Sequence, residues 1–286
     1  MKLISDKKIK CNQPNHLKLQ IINDKLVVSP CCHLGYIVLD EINNLDEIDN
    51  LYEYLNNIYN NNKKNKFDIN QYSGCYSENN KCYLSTGKLK CIDISISQSC
   101  NLNCIHCNYK KTNKYDDLYF KVLNKLTENE SNLEQIYLTS NGEPFLYYDK
   151  ILDFLKKINN NITKKIVACT NGTLLNKKRI DELYNISKET GVKYDISVSI
   201  DSFTKETFKK IRNFDLDKII ENTLYLKEKN LLKRIQYCVM LENLHEFNLL
   251  DKFCKENKIE YYYGIVQSED EKKSKYIKKE LEKYKK

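Results

Sequence analysis

Three of the chain's twelve cysteines crowd into one run, Cys100-Asn101-Leu102-Asn103-Cys104-Ile105-His106-Cys107, a C-x3-C-x2-C spacing. Thiolates are soft ligands, so three on one short loop make a soft-metal site. A tetrahedral zinc ion needs four ligands, and no second C-x2-C pair occurs in the chain. His106 lies inside the Cys104–Cys107 loop, where reaching back to the same metal is cramped. A cubane iron–sulfur cluster also takes four thiolates. Held by these cysteines alone, it keeps one iron open to a small ligand.

The loop follows a strand-like stretch, Cys91-Ile92-Asp93-Ile94-Ser95-Ile96-Ser97. From there the pattern alternates between strand and helix. Strands are expected at 91–98, 134–139, 164–169, 193–200, 234–240 and 259–266. Helices fall near 115–127, 148–159, 176–190, 204–229 (broken near Asn213-Phe214) and 245–257. Such alternation implies a parallel sheet with right-handed crossovers. About 175 residues are too few for an eight-stranded barrel of roughly 250. The expected fold is α/β: an open, partial (β/α)6 TIM-like barrel with a small N-terminal cysteine-rich α+β domain. Three more loops follow strands: Ser140-Asn141-Gly142-Glu143-Pro144, Thr170-Asn171-Gly172-Thr173 and Ser199-Ile200-Asp201-Ser202. Parallel strand ends share one face, so all four loops converge on one site.

Residues 1–90 read differently. Two apolar runs flank Asn23-Asp24, as in a β-hairpin with a short turn. Leu45 to Ile58 has helical spacing, and a polar Asn/Lys link follows. The expected units are therefore 1–90, 91–267 and a basic helical tail at 268–286. Of the net charge of +8, about five charges lie in that tail, by eight Lys against three Glu from Glu271 to Lys286. The tail reads as a frayed, solvated helix, so no nucleic-acid partner is expected. No apolar run approaches the roughly 20 residues of a membrane span. The first residues turn charged before a signal-like core forms. The expected location is the cytoplasm, where thiols bind metal rather than form disulfides.

The C-x3-C-x2-C loop after the first strand of a six-fold βα repeat resembles the radical S-adenosylmethionine superfamily. Asn141-Gly142-Glu143-Pro144 is similar to that family's Gly-Gly-Glu-Pro loop, with Asn141 in place of the first glycine. The resemblance covers about residues 91–266. It implies that Cys100, Cys104 and Cys107 hold a [4Fe-4S] cluster whose open iron takes the amine and carboxylate of S-adenosylmethionine. One electron then cleaves the sulfonium to give methionine and a 5′-deoxyadenosyl radical that abstracts a hydrogen atom. His106 stands where the family usually has an aromatic residue near the adenine. Gly142 admits close backbone approach. Asn141, Gly142, Glu143, Ser199 and Asp201 are the further candidates for contact with S-adenosylmethionine. Thr170, Asn171 and Arg212 are weaker ones. Structural alternatives stand beside these: Ser199 and Asp201 as helix caps, Asn171-Gly172 as a plain turn, and Cys169, Cys238 and Cys254 as small buried hydrophobes.

Cys11-x2-Pro14, a hairpin and Pro30-Cys31-Cys32 resemble the opening of a SPASM or twitch domain, here placed before the core rather than after it. That resemblance implies an auxiliary [4Fe-4S] cluster on Cys11, Cys31, Cys75 and Cys82, with Cys32 and Cys91 as substitutes. It also implies a peptide or protein substrate and an electron donor such as flavodoxin or ferredoxin. A zinc knuckle on the same thiolates, a non-catalytic metal-binding interaction module, and a radical enzyme acting on RNA are the competing readings.

Overall fold

The computed structural model describes residues 15–30, 37–62, 66–68, 81–83, 87–139, 141–266 and 271–284. Cys11, Cys31, Cys32 and Cys75 lie outside them, and the side chain of Cys82 is likewise not described. Ser140 lies outside them too.

The first described elements are β1 (His16–Ile22) and β2 (Lys25–Ser29), a hairpin whose two turn residues, Asn23 and Asp24, both have positive φ. This is the conformation that Asn and Asp tolerate best after glycine. Next come β3 (Asp40–Ile42), α1 (Leu51–Asn62) and a small pair, β4 (Lys66–Asp68) and β5 (Lys81–Tyr83). The βα repeat then runs β6 (Cys91–Ser95), α2 (Asp116–Leu126), β7 (Gln135–Thr139) and α3 (Tyr148–Lys157). It continues through β8 (Lys165–Thr170), α4 (Lys177–Thr190), β9 (Lys193–Ser199), α5 (Lys205–Arg212) and α6 (Leu216–Glu228). It ends with β10 (Leu232–Val239), α7 (Phe247–Glu256), β11 (Tyr261–Ile265) and α8 (Glu271–Leu281).

Strands β6 to β11 are parallel and lie side by side in chain order, as an open α/β sheet requires. The expected six strands understate the sheet, which has nine among the described residues. β1 pairs parallel to β6, with Leu17 beside Ile92 and Leu19 beside Ile94, and β2 and β3 continue outward antiparallel. Leu17 and Leu19 join the same buried cluster as Ile92, Ile136, Ile166, Ile196 and Ile235. The hairpin thus shares one sheet and one core with the repeat.

Alternation sets the two faces of the sheet. On β10, Ile235, Tyr237 and Val239 are buried, while Arg234, Gln236 and Cys238 are only half-buried. The first set packs under the helices, and the second faces the concave side. The tail differs from the frayed helix expected. α8 docks through buried Ile277 and Leu281, and Tyr284 lies 6.2 Å from Phe247 between ring centroids. Among the described residues, no helix is long and apolar enough to cross a membrane.

A shared core has a measurable consequence. Leu17→Ala and Ile92→Ala each delete fully buried side chains and are expected to cost about 2–5 kcal/mol. Both should shift one common urea transition. A separate early transition for Leu17→Ala would show that the hairpin unfolds on its own.

Candidate functional site

The cysteine loop leaves the C-terminal end of β6 and is tied down at its base. Thr112 N–H donates to Gln98 O (3.3 Å), which closes the loop. The buried Asp116 carboxylate accepts from the Ser97 (3.4 Å) and Ser99 (3.3 Å) hydroxyls and from Tyr147. At its far end Ile105 N–H donates to Ile211 O (3.1 Å), which docks the loop on the last turn of α5. Cys100 and Cys104 are half-buried, and Cys107 is exposed. The Leu102 amide donates to Cys100 Sγ at 3.4 Å, and Asn171 Nδ2 lies 3.9 Å from the same sulfur. Burial raises the Cys104 thiol pKa, although the nearby Arg212 charge pulls the other way.

The 141–143 loop presses against this base. A Cβ on Gly142 would stand 1.9 Å from Ser99 O and 2.6 Å from its carbonyl carbon. Glu143 N–H donates to the same Ser99 O at 2.7 Å. The need for glycine at 142 is therefore room for the Ser99 backbone. Its φ is not positive, so no left-handed backbone is involved there. The Glu143 side chain is 1% exposed and turned inward. It accepts from Phe145 N–H (3.0 Å), Thr170 Oγ1 (2.7 Å) and Asn171 N–H (2.7 Å). Burial raises its pKa, while these three donors favour the carboxylate.

Asn171 does more than turn the chain. Its Nδ2 donates to Asn101 Oδ1 (3.0 Å), and its Oδ1 accepts from Thr173 N–H (2.9 Å) and Oγ1 (2.7 Å). Asn101 in turn donates to Thr173 Oγ1 at 2.8 Å. The third loop is thus bonded to the cysteine loop next to Cys100.

Asp201 is 0% exposed and forms an ion pair with Arg212, whose Nε and Nη2 both lie 2.6 Å from Oδ2. Its Oδ1 accepts from Cys238 N–H at 2.8 Å. Burial alone would lower the Arg212 pKa. The Asp201 charge, the Cys104 and Cys238 thiols and the hydrogen bond to Asp201 outweigh it and raise it. Arg212 is not at the surface, where an ordinary ion pair would put it. His106 Nε2 sits 3.7 Å from Asp201 Oδ2, and its buried Nδ1 has no hydrogen-bond partner. Burial lowers the His106 pKa against the pull of Asp201.

Capping, the structural alternative for Ser199 and Asp201, falls to another residue. Buried Glu246 accepts from Phe203 N–H (2.8 Å), Thr204 N–H (3.2 Å) and the Ser202 (2.7 Å) and Thr204 (2.6 Å) hydroxyls. Ser199 faces the concave side, its hydroxyl 3.5 Å from Cys169 Sγ. Cys169 also donates to Gln236 Oε1 at 3.2 Å, so it is not the buried hydrophobe expected. Cys238 is likewise half-buried on the concave side, whereas Cys254 is buried in the core. Cys91 is buried on β6, and burial pushes its thiol up to about 11.

Among the described residues, no three Cys, His, Asp or Glu side chains converge on a point that one metal ion could occupy. Three thiols on one loop, with no fourth ligand gathered beside them among the described residues, suit a larger group that spreads its ligand sulfurs more widely. The donor set is all-sulfur, which suits an iron–sulfur cluster.

The Radical SAM superfamily profile matches residues 94–254. The chain belongs to that superfamily. It is similar to a probable GTP 3′,8-cyclase of Methanocaldococcus jannaschii, 26% identical over 66% of this chain and 67% of that one. A GTP 3′,8-cyclase of Clostridium perfringens is 32% identical over 55% of this chain and 49% of that one. Among solved structures, Streptococcus suis SuiB bound to precursor peptide SuiA has a TM-score of 0.48 at 20% identity, over 62% of this chain and 39% of that one. The chain spans 33% to 67% of the length of the first curated relatives that it matches.

The buried ion pair invites a double-mutant cycle. Arg212→Met leaves the buried Asp201 without its guanidinium partner and is expected to cost about 3–5 kcal/mol in urea unfolding. Asp201→Asn combined with Arg212→Met should recover much of that loss. Additive costs would show that the two side chains are not coupled.

Proposed function

We propose that the chain is a radical S-adenosylmethionine enzyme whose [4Fe-4S] cluster is held by Cys100, Cys104 and Cys107. The observation that carries this reading is the three-thiol loop at the C-terminal strand ends, in a chain whose superfamily match covers residues 94–254. When bound, the cluster supplies one electron that cleaves the sulfonium of S-adenosylmethionine, giving methionine and a 5′-deoxyadenosyl radical for hydrogen abstraction.

The chain's own residues do the rest by position. The Gly142–Ser99 contact and the Glu143 carboxylate hold two loops against the base of the cysteine loop. That leaves the 141–143 backbone as the ledge for the amine of S-adenosylmethionine, with Ser199 as a hydroxyl donor toward its ribose or carboxylate. Asp201 acts through others: it fixes Arg212 beside Cys104 and neighbours His106. His106 then serves as the flat side chain toward the adenine.

In this reading the substrate is a peptide or protein, which the N-terminal cysteine set supports. Cys11, Cys31, Cys75 and Cys82 then hold an auxiliary [4Fe-4S] cluster, dividing the work between residues 1–90 and the core at 91–267. A flavodoxin or ferredoxin supplies electrons, and the reaction takes place in the cytoplasm. A second reading is a nucleotide substrate, favoured by the 26% and 32% identity to GTP 3′,8-cyclases. Incubating the reduced enzyme with GTP and following its consumption separates the two.

Anaerobic reconstitution with iron and sulfide should load about four irons on this loop. Dithionite and S-adenosylmethionine should then yield 5′-deoxyadenosine. The triple variant Cys100→Ala, Cys104→Ala, Cys107→Ala should lose that product and those irons. Undiminished 5′-deoxyadenosine from it would sink the reading, and zinc in place of iron and sulfide in the parent protein would favour a metal-binding interaction module.

Gly142→Ala tests the ledge. Its Cβ cannot be accommodated without moving the Ser99 backbone, so iron retention after desalting should fall several-fold while the far-UV spectrum is kept. Full iron retention would show that the joint does not position the loop.

A further inference from the structure

The concave face of the sheet is polar, and its charges are mostly spoken for. Asp195 is held by Lys193 (3.0 Å) and Lys165 (3.4 Å). Asp93 accepts from Thr139. Arg234 is different. It stands on β10 beside Ser197 of β9, just after a register shift between Leu232 and Arg234. Such a bulge re-aims the side chains that follow it and is common near active sites. The Arg234 guanidinium lies 5.1 Å from the centre of the Tyr262 ring. Its Nε is buried without a hydrogen-bond partner, and among the described residues no carboxylate pairs with it.

A guanidinium has five donors in a fixed fork. Burying one of them unpaired costs free energy that a protein without use for it would avoid. Stacking on Tyr262 orients the fork but satisfies none of its N–H groups. Two residues along the strand, Gln236 uses its Oε1 to accept from Cys169, and its amide N–H2 has no protein acceptor among the described residues. Gln236 lies beside Ser199 on one neighbour and Tyr262 on the other. Unused donors therefore adjoin one another on the concave wall, one level below the strand ends that carry the cysteine loop. The group that satisfies them is an acceptor with negative charge.

We propose that Arg234, assisted by Gln236, is a substrate-anchoring subsite for an oxyanion, a carboxylate or a phosphate, and that it selects anionic substrates. The proposal rests on the reading that the concave side receives the substrate of a radical enzyme. Tyr262 holds the guanidinium plane, and the fork takes two oxygens of the anion.

Binding to the reconstituted protein tests it without turnover. One arm compares GTP with guanosine by calorimetry. The other selects binders from a random peptide library and compares each with its neutral amide counterpart (Asn or Gln for Asp or Glu, C-terminal amide for acid). The expected result is charge-dependent binding in one arm, which also identifies the source of the anion. Arg234→Gln should weaken that binding by about tenfold or more, and Arg234→Lys should retain part of it. Gln236→Glu puts a like charge beside the anion, should weaken binding similarly, and serves if Arg234→Gln fails to fold. No preference for the anionic partner in either arm, or unchanged affinity in the variants, overturns the subsite. A parent protein that makes no 5′-deoxyadenosine would sink the radical reading instead and leave the binding result legible.

Discussion

A single backbone contact fixes where the cysteine loop can be. Gly142 packs so tightly on Ser99 that a methyl group would overlap its carbonyl oxygen. The next amide, of Glu143, is hydrogen-bonded to that same oxygen. One turn of chemistry thus joins the end of β6 to the end of β7 before any side chain is considered. The Glu143 carboxylate extends the joint to β8 by taking Thr170 and the Asn171 amide. Asn171 closes the circuit by reaching Asn101 and Cys100. Three loops from three adjacent strands are thus bonded to one another beside Cys100. Loops that carry chemistry need such rigid seats, because a misplacement of about 1 Å is costly at a reactive centre.

The site is also built from buried carboxylates, and each has its own set of donors. Glu143 is met by hydrogen-bond donors alone. Asp201 is met by a full positive charge and one amide. Glu246 takes two amides and two hydroxyls at the entry to α5. Asn243 bonds Asp201 O, Cys238 O and Met240 N–H, which ties the ends of β9 and β10 together. A charge or amide buried without these partners would cost more than the fold gains from hiding it. The polar groups are therefore the fasteners of the upper rim, while the apolar core supplies the bulk of the stability under the helices.

The repeat was legible because its periodicity is local. Apolar runs of strand length alternate with helical spacing, and the expected boundaries of β7 to β11 fall within about two residues of those observed. The break at Asn213 was visible too, and it has positive φ as the C-cap of α5. What stayed hidden depends on partners far along the chain. Nothing near His16–Ile22 announces that it lies parallel to Cys91–Ser95, since the hairpin pattern is satisfied by its own turn. Glu246 sits more than 40 residues from the hydroxyls it accepts from, so the sequence offers only the nearer Ser199 and Asp201 as alternative caps. Gly142 was singled out for the right property, close approach, but the approaching group is Ser99. The apolar neighbours of Cys169 and Cys238 suggested core positions, whereas strand alternation turns both to the concave side. Ile277, Leu281 and Tyr284 looked too sparse to dock a lysine-rich tail, yet three anchors on one helical face suffice.

The two faces of the sheet explain why this fold can hold reactive chemistry without losing stability. Ile92, Ile136, Ile166, Ile196 and Ile235 pack under the helices, one from each of five adjacent strands. That row secures the sheet whatever its other face carries. The concave face is thereby free to depart from core composition, and it does. Asp93, Lys165, Cys169, Asp195, Ser199, Arg234 and Gln236 occupy positions that a closed, packed barrel would fill with branched aliphatic side chains. Such residues cost stability unless paired. Most are paired within the wall; among the described residues the Arg234 Nε and the Gln236 amide are not. An unpaired cation stacked on Tyr262, behind a bulge and below the cysteine loop, is the kind of local inconsistency that a sequence keeps where binding requires it. The fold's tolerance for that residue comes from the opposite face, which needs nothing from it.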